Sequence, residues 1–175
     1  MATKIIPEKS KLIISIIFKD EKILAKSITE LEKRFSSIDF KSDMYSFSQF
    51  SSYYHEEMGE NLQRVFVTFS GLVAQDELVS IKNQTDSLEK EYMQNDKRSI
   101  NVDPGILTLK NFVLATHKDF THRIYLRDGV YADLTLMYTK GSFQILPWTY
   151  PDYSSPALIG LFNSIREKYK LRISS

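Results

Sequence analysis

The hydrophobic pattern of this chain changes period several times, and each change marks an element. Leu12-Ile-Ile-Ser-Ile-Ile-Phe18 is β-branched and apolar at both alternating sets of positions, as expected of a central strand covered on at least part of both sides. Asp20 then offers an N-cap. Leu24, Ile28, Leu31 and Phe35 follow at spacings of 4, 3 and 4, a helix with one apolar stripe that Ser36-Ser37 ends. Residues 39–47 suggest a second strand with Phe40, Met44 and Phe47 as its apolar members, followed by an aromatic loop over 50–59. Arg64-Val-Phe-Val-Thr-Phe-Ser70 has strand composition. Gln75-Asp76 opens a second helix, where Leu78, Ile81, Thr85, Leu88 and Tyr92 again step by 3 and 4, and Asn95-Asp-Lys-Arg98 breaks it.

Ser99 onward supplies the next strand, so the order is β-α-β-β-α-β. That is the order of a ferredoxin-like split βαβ unit. The expected fold is therefore α+β: a ferredoxin-like βαββαβ core with a mainly antiparallel sheet, extended by a C-terminal β-hairpin and a final helix. That helix starts at Ser155-Pro156, with Ser as N-cap and Pro at the first helical position, and buries Leu158, Phe162, Ile165 and Tyr169. The expectation is a single domain over 1–175, with residues 1–10, which include Pro7, a loosely held opening segment.

Composition narrows the function classes. A chain of 175 residues can bury a sizeable core, and its 42% hydrophobic, 13% aromatic and 26% charged residues suit an ordinary soluble protein. The formal net charge of +1 gives no electrostatic case for a nucleic-acid partner. Lys and Glu interspersed in the helical segments read as solvated faces. With 0 cysteines there is no disulfide, thiolate zinc site or thiol catalysis, which is compatible with a reducing cytoplasm. No signal peptide and no run near the ~20 residues of a membrane span appear, so no membrane partner is expected. The sequence has no Gly-x-x-x-x-Gly-Lys-Ser/Thr, no Gly-rich phosphate cradle and no Gly-x-Ser-x-Gly elbow.

Candidate chemistry concentrates in residues 99–153, which hold three of the 5 prolines, the single Trp, two of the 3 His and five of the 10 Tyr. Asp128-Gly129 between two alternating runs is a hairpin signal. A two-residue turn there sets Leu126 against Tyr131, Ile124 against Asp133 and His122 against Thr135. His122, Tyr131, Asp133 and Thr135 then line one face; Arg123 and Tyr125 join Ala132, Leu134 and Leu136 on the other. An imidazole near a carboxylate suits acid–base work, which makes His122 and Asp133 the catalytic candidates; the plainer reading is a cross-strand polar pair on a solvated face.

Asn101-Val-Asp-Pro-Gly105 reads as a change from strand to turn, where Asp103 caps the turn or presents a carboxylate at a strand end. Thr108 to Leu114 is ambiguous between helix and strand. Lys118 and Arg123 lie near His117 and His122, donors suited to a phosphate or carboxylate. No His-x-x-x-His spacing supports a metal site, and none is assigned. Pro147-Trp-Thr-Tyr-Pro-Asp-Tyr153 reads as an ordered loop whose Trp148, Tyr150 and Tyr153 seal the sheet, with base or sugar stacking as the functional alternative.

Several of these segments together resemble one family. They are Tyr53-Tyr54, Glu57-Met58-Gly59, Ile81-Lys82 with Thr85 and Leu88-Glu89, Asn101-Val-Asp-Pro-Gly105, Leu114-Ala-Thr116, His122-Arg-Ile-Tyr-Leu126, Gly129-Val-Tyr-Ala132 and Trp148-Thr-Tyr-Pro-Asp-Tyr153. The chain resembles the prokaryotic domain-of-unknown-function family 4416 from Leu12 to Tyr169. Relative to that family's pattern, Ile106 replaces Tyr, Asn111 stands near a Lys position, His117 replaces Thr and Asp133 replaces Glu. The resemblance thus implies no family-wide role for His117, keeps His122, and keeps a shorter carboxylate at 133. Members are sometimes labelled GTP-binding, and this chain has no P-loop.

The leading expectation is a cytoplasmic protein with a polar pocket for a small anionic metabolite or nucleotide. Its expected ligand-binding residues are Asn101, Asp103, Lys118, Arg123, Tyr131, Thr135, Trp148, Tyr150 and Asp152, beside His122 and Asp133. One alternative is an enzyme in which His122 and Asp133 form a general acid–base pair. The other is a non-catalytic interaction module presenting the loops at Phe50–Tyr54 and Trp148–Tyr153.

Overall fold

Nine strands form a single sheet in the computed structural model, which describes residues 3–174. The chain runs β1 (Ser10–Phe18), α1 (Glu21–Arg34), β2 (Ile38–Lys41), β3 (Tyr45–Ser46), the short helix α2 (His55–Met58), β4 (Gln63–Val73) and α3 (Leu78–Glu91). It continues with β5 (Ile100–Leu107), β6 (Asn111–Thr116), β7 (Arg123–Arg127), β8 (Val130–Thr139), β9 (Ser142–Ile145) and α4 (Pro156–Ile173). The strand order is β2-β4-β1-β5-β6-β8-β7, with β3 on β4 and β9 on β8. Each pairing is antiparallel. This is a mixed α/β protein with an antiparallel sheet and a C-terminal helix.

The sheet has helices on both faces, which explains the unbroken apolar run of β1. Leu12, Ile14, Ile16 and Phe18 pack under Leu24 and Leu31 of α1 and Ile81 and Leu88 of α3. Ile13 points the other way, joining Phe66, Phe112, Leu136 and Phe143 beneath Leu158, Phe162, Ile165 and Tyr169 of α4. Every residue of β1 is buried. The caps form as the sequence suggests. Asp20 Oδ1 accepts the Lys22 amide at 2.7 Å, and Ser155 Oγ accepts the Leu158 amide at 3.3 Å with Pro156 at the helix start. Residues 3–9 form no regular element, though the Lys9 carbonyl accepts the Tyr169 hydroxyl at 2.7 Å.

The structure corrects the turn expected at residues 103–105 and the hairpin register, and it decides the segment left open between helix and strand. Asp103-Pro104-Gly105 is not a turn: β5 continues through it to Leu107, paired along β1. Residues 111–116 resolve as a strand. The hairpin turn itself is as expected, with Asp128 and Gly129 at φ of 54° and 71° joining Arg127 to Val130. A bulge at Leu126 then shifts the register by one. Arg123, not Ile124, faces Asp133, and Tyr125, not Leu126, faces Tyr131. Arg123 and Tyr125 therefore share the face of Tyr131 and Asp133, against the grouping drawn from an unbulged hairpin.

Candidate functional site

The site is built by a parting of two neighbouring strands. β5 and β6 pair only at Gly105–Leu114, Ile106–Val113 and Leu107–Phe112. Beyond that point Ile100 to Pro104 stay on β1, while Ala115 and Thr116 stay on β8. The sequence sets where this happens. Pro104 offers no backbone N–H, and a Cβ at Gly105 would lie 2.5 Å from the Phe112 ring and 2.9 Å from the Val113 carbonyl. Glycine thus permits the last close pair before the strands separate.

A cavity of about 440 Å³ occupies the parting. β5 and its approach contribute Arg98, Asn101 and Asp103, and α3 contributes Lys82. β6 and the turn after it bring Leu114, Ala115, Thr116, His117 and Lys118, and β8 brings Asp133. The loop after β3 supplies Phe47, Phe50, Ser51, Tyr53 and Tyr54, and the segment before α4 supplies Tyr150 to Tyr153. Ile17 and Arg64 complete the lining. One part of the lining is therefore aromatic and the other densely charged.

The charged part is a connected network. Glu89, buried on α3, accepts the Val102 amide at 2.6 Å and Arg98 Nη1 at 3.2 Å. Arg98 also grips both oxygens of Glu57 at 2.7 Å and donates to Asn101 Oδ1 at 3.0 Å. Asn101 Nδ2 in turn donates to Asp103 Oδ2 at 2.6 Å. Lys82 Nζ lies 3.0 Å from Asp86 and 3.5 Å from Asp103 Oδ1. His117 bridges Asp86, at 2.6 Å, and the Gly129 carbonyl, at 2.8 Å. A second buried cation, Arg64, pairs with Asp152 and donates to Ser15 Oγ at 2.6 Å and the Tyr153 hydroxyl at 2.9 Å.

Proton affinities follow from this burial and pairing. Burial, reinforced by the nearby Asp103 charge, pushes the Glu89 carboxyl up to about 7 despite Lys82, the Val102 amide and Arg98. Burial works against the Lys82 ammonium, yet Asp103, Glu89 and Asp86 outweigh it and hold Lys82 above its usual range. The hydrogen bond to Asp86 raises His117. Burial, then Asp103, raises the Tyr54 hydroxyl. Asp103 recurs in each account but one because it stands at the centre of the network.

Six of the residues singled out from the sequence line the cavity: Asn101, Asp103, Lys118, Asp133, Tyr150 and Asp152. His122, Arg123, Tyr131, Thr135 and Trp148 are not in its lining. Tyr131 meets Tyr125 edge-on at 5.2 Å, and the other four form an adjoining cluster around Asp133. Asp133 Oδ2 accepts Arg123 Nε at 2.8 Å and lies 3.2 Å from His122 Nε2, and Thr135 Oγ1 contacts Oδ1 at 3.3 Å. The His122 ring stacks on Trp148 at 4.8 Å and meets Phe120 edge-on. Trp148 Nε1 donates to the Leu134 carbonyl at 2.8 Å, while Arg123 reaches the Tyr150 hydroxyl at 2.6 Å. Among the described residues, no group of three or more His, Asp or Glu is arranged to hold a metal ion.

The sequence does not single out Lys82, Glu89, Arg98 or Arg64 as site residues, and it gives His117 only as a neighbour of Lys118. The interspersed Lys and Glu of the helical segments suggest solvated faces, but the structure buries Lys82 and Glu89. A signal existed: Lys82, Thr85 and Glu89 step by 3 and 4 along one side of the helix, and all three stand in the segments that resemble the family. No helix is long and apolar enough to cross a membrane among the described residues.

The chain belongs to the domain-of-unknown-function family DUF4416, whose model matches residues 8–169. No curated protein and no solved structure was found to match it.

Proposed function

We propose that the cleft between β5 and β6 binds a small anionic metabolite or nucleotide. The observation that carries this reading is the cavity itself. Its volume of about 440 Å³ falls within the range of small-molecule sites, and its lining joins apolar rings to a few convergent polar groups. Lys118 supplies the anion's counter-charge. Its ammonium stands 3.8 Å over the Tyr53 ring, and it makes no ion pair with any described residue. The neighbouring His117 retains its proton to higher pH than a free imidazole because Asp86 holds it.

Thermal-shift screening and calorimetry over nucleotides, phosphorylated metabolites and small carboxylates test this. A stabilising anion whose affinity drops in Lys118→Ala, with the fold unchanged by circular dichroism, supports the cleft. Anion binding that is indifferent to Lys118→Ala removes it. A catalytic reading of His122 and Asp133 draws on their 3.2 Å contact, but His122 is packed between Phe120 and Trp148 outside the cavity lining, so binding is the stronger reading. We also read β2-β4-β1-β5, with α1 and α3 on one face, as a ferredoxin-like βαββαβ core; the antiparallel order supports it.

A further inference from the structure

We infer that the ligand of this cleft carries an ammonium group as well as its anionic group, and that Asp103 receives the ammonium. The inference rests on the binding reading above and names the chemical class: a small zwitterion such as an amino acid or a phosphorylated amine. It starts from one atom. Asp103 Oδ2 is occupied by Asn101, whereas Oδ1 accepts no hydrogen bond from any described residue; its nearest cation, Lys82, is 3.5 Å away and shared with Asp86. The side chain is 29% exposed and lines the cavity, so Oδ1 is an acceptor within a ligand's reach.

Charge selects among donors. Around Asp103 the carboxyls of Glu57, Asp86 and Glu89 face the cations Lys82 and Arg98 and the His117 imidazole held by Asp86, and the proton that burial keeps on Glu89 makes up the difference in charge. A ligand hydroxyl would satisfy Oδ1 alone; an ammonium satisfies it and can also take the place of the Glu89 proton as the balancing charge. A bare divalent cation is poorly served, since no third carboxylate or imidazole converges with it among the described residues. The exposed Lys118 and His117 place the anionic end toward the rim. Because Asp103 contributes to holding a proton on Glu89, neutralising Asp103 lets Glu89 ionise, and binding near neutral pH releases a proton.

Calorimetry on the full chain at pH 7, in two buffers of different ionisation enthalpy, tests this. The probes are O-phosphoethanolamine against ethyl phosphate and ethanolamine, and glycine, β-alanine and γ-aminobutyrate against acetate, propionate and butyrate. The expected result is that one amine binds about tenfold or more tightly than its amine-free and anion-free analogues. That preference disappears in Asp103→Asn, which still binds the amine-free analogue, and the released proton disappears in Glu89→Gln. If the amine-free analogue binds as tightly as the amine, the ammonium reading is overturned while the cleft reading stands. If neither set binds, the ammonium reading falls, and the cleft reading is decided by the nucleotide screen and Lys118→Ala. The phosphate and carboxylate arms separate the two sources of the anion.

Discussion

Glu89 makes the protein's stability depend on pH in a direction opposite to that of a carboxylate in a favourable ion pair. Its folded-state affinity is about 7, against 4.5 for the free side chain, because burial and Asp103 outweigh the amide and the guanidinium that it accepts. Between those values the unfolded chain has released the proton that the folded protein keeps. Stability therefore falls as pH rises from 4.5 to about 7, and it levels off above. At about 1.4 kcal/mol per unit, the loss reaches roughly 3 kcal/mol. Glu89→Gln is neutral throughout and keeps an oxygen for the Val102 amide. Relative to wild type it should match at pH 4.5 and gain most of that 3 kcal/mol by pH 8. Urea unfolding at half-unit steps, at constant ionic strength, measures both curves. The comparison removes His117, whose raised affinity gives both proteins a stability present at acid pH and lost as pH rises through it. Parallel curves for the two proteins would refute the burial argument.

The remaining predictions concern geometry. Asp133→Ala leaves Arg123 buried without its carboxylate and should cost about 3–5 kcal/mol in urea unfolding, whereas a solvated pair would cost under about 1. Gly105→Ala drives a methyl into Phe112 and should cost about 1–3 kcal/mol, with perturbed Phe112 ring resonances by NMR. Arg98→Ala frees Glu57 and should raise amide exchange across 50–58 well above that of β1. Asp86→Asn should return the His117 titration midpoint toward that of a free imidazole, read from its ring protons.

The scaffold was legible because its signals are local. The double-sided apolar run of β1, the stripes of α1 and α4, and the Ser155-Pro156 start each depend on neighbours within a few residues. The hairpin turn was legible for the same reason, since Asp-Gly tolerates the left-handed backbone. Its register was not. The bulge at Leu126 comes from how β7 meets β8, and the single shift moved Arg123 onto the Asp133 face. The candidate site was half legible: Asn101, Asp103, Lys118 and Asp133 lie in the chemistry-rich stretch, but the groups that set their charge come from α3 and from Arg98. Lys82 and Glu89 look like ordinary helix-surface charges until β5 is known to present an unpaired edge beside them.

That unpaired edge is where fold and function meet. A strand edge inside a sheet must satisfy its amides, and water or a partner strand is the usual solution. Here α3 provides a carboxylate instead: Glu89 takes the Val102 amide. Burying Glu89 calls for cations, which Arg98 and Lys82 supply, and Arg98 also fixes the Glu57 end of the aromatic loop and Asn101, which in turn holds Asp103 by Oδ2. The charged part of the cleft is thus a consequence of opening the sheet between β5 and β6. What exceeds that structural need is Asp103 Oδ1 and the Lys118 ammonium. Neither is used to close the edge, and both line the cavity. Groups left over after the scaffold's own demands are met are those a ligand can engage without unfolding the site, which is why the proposed chemistry is assigned to them.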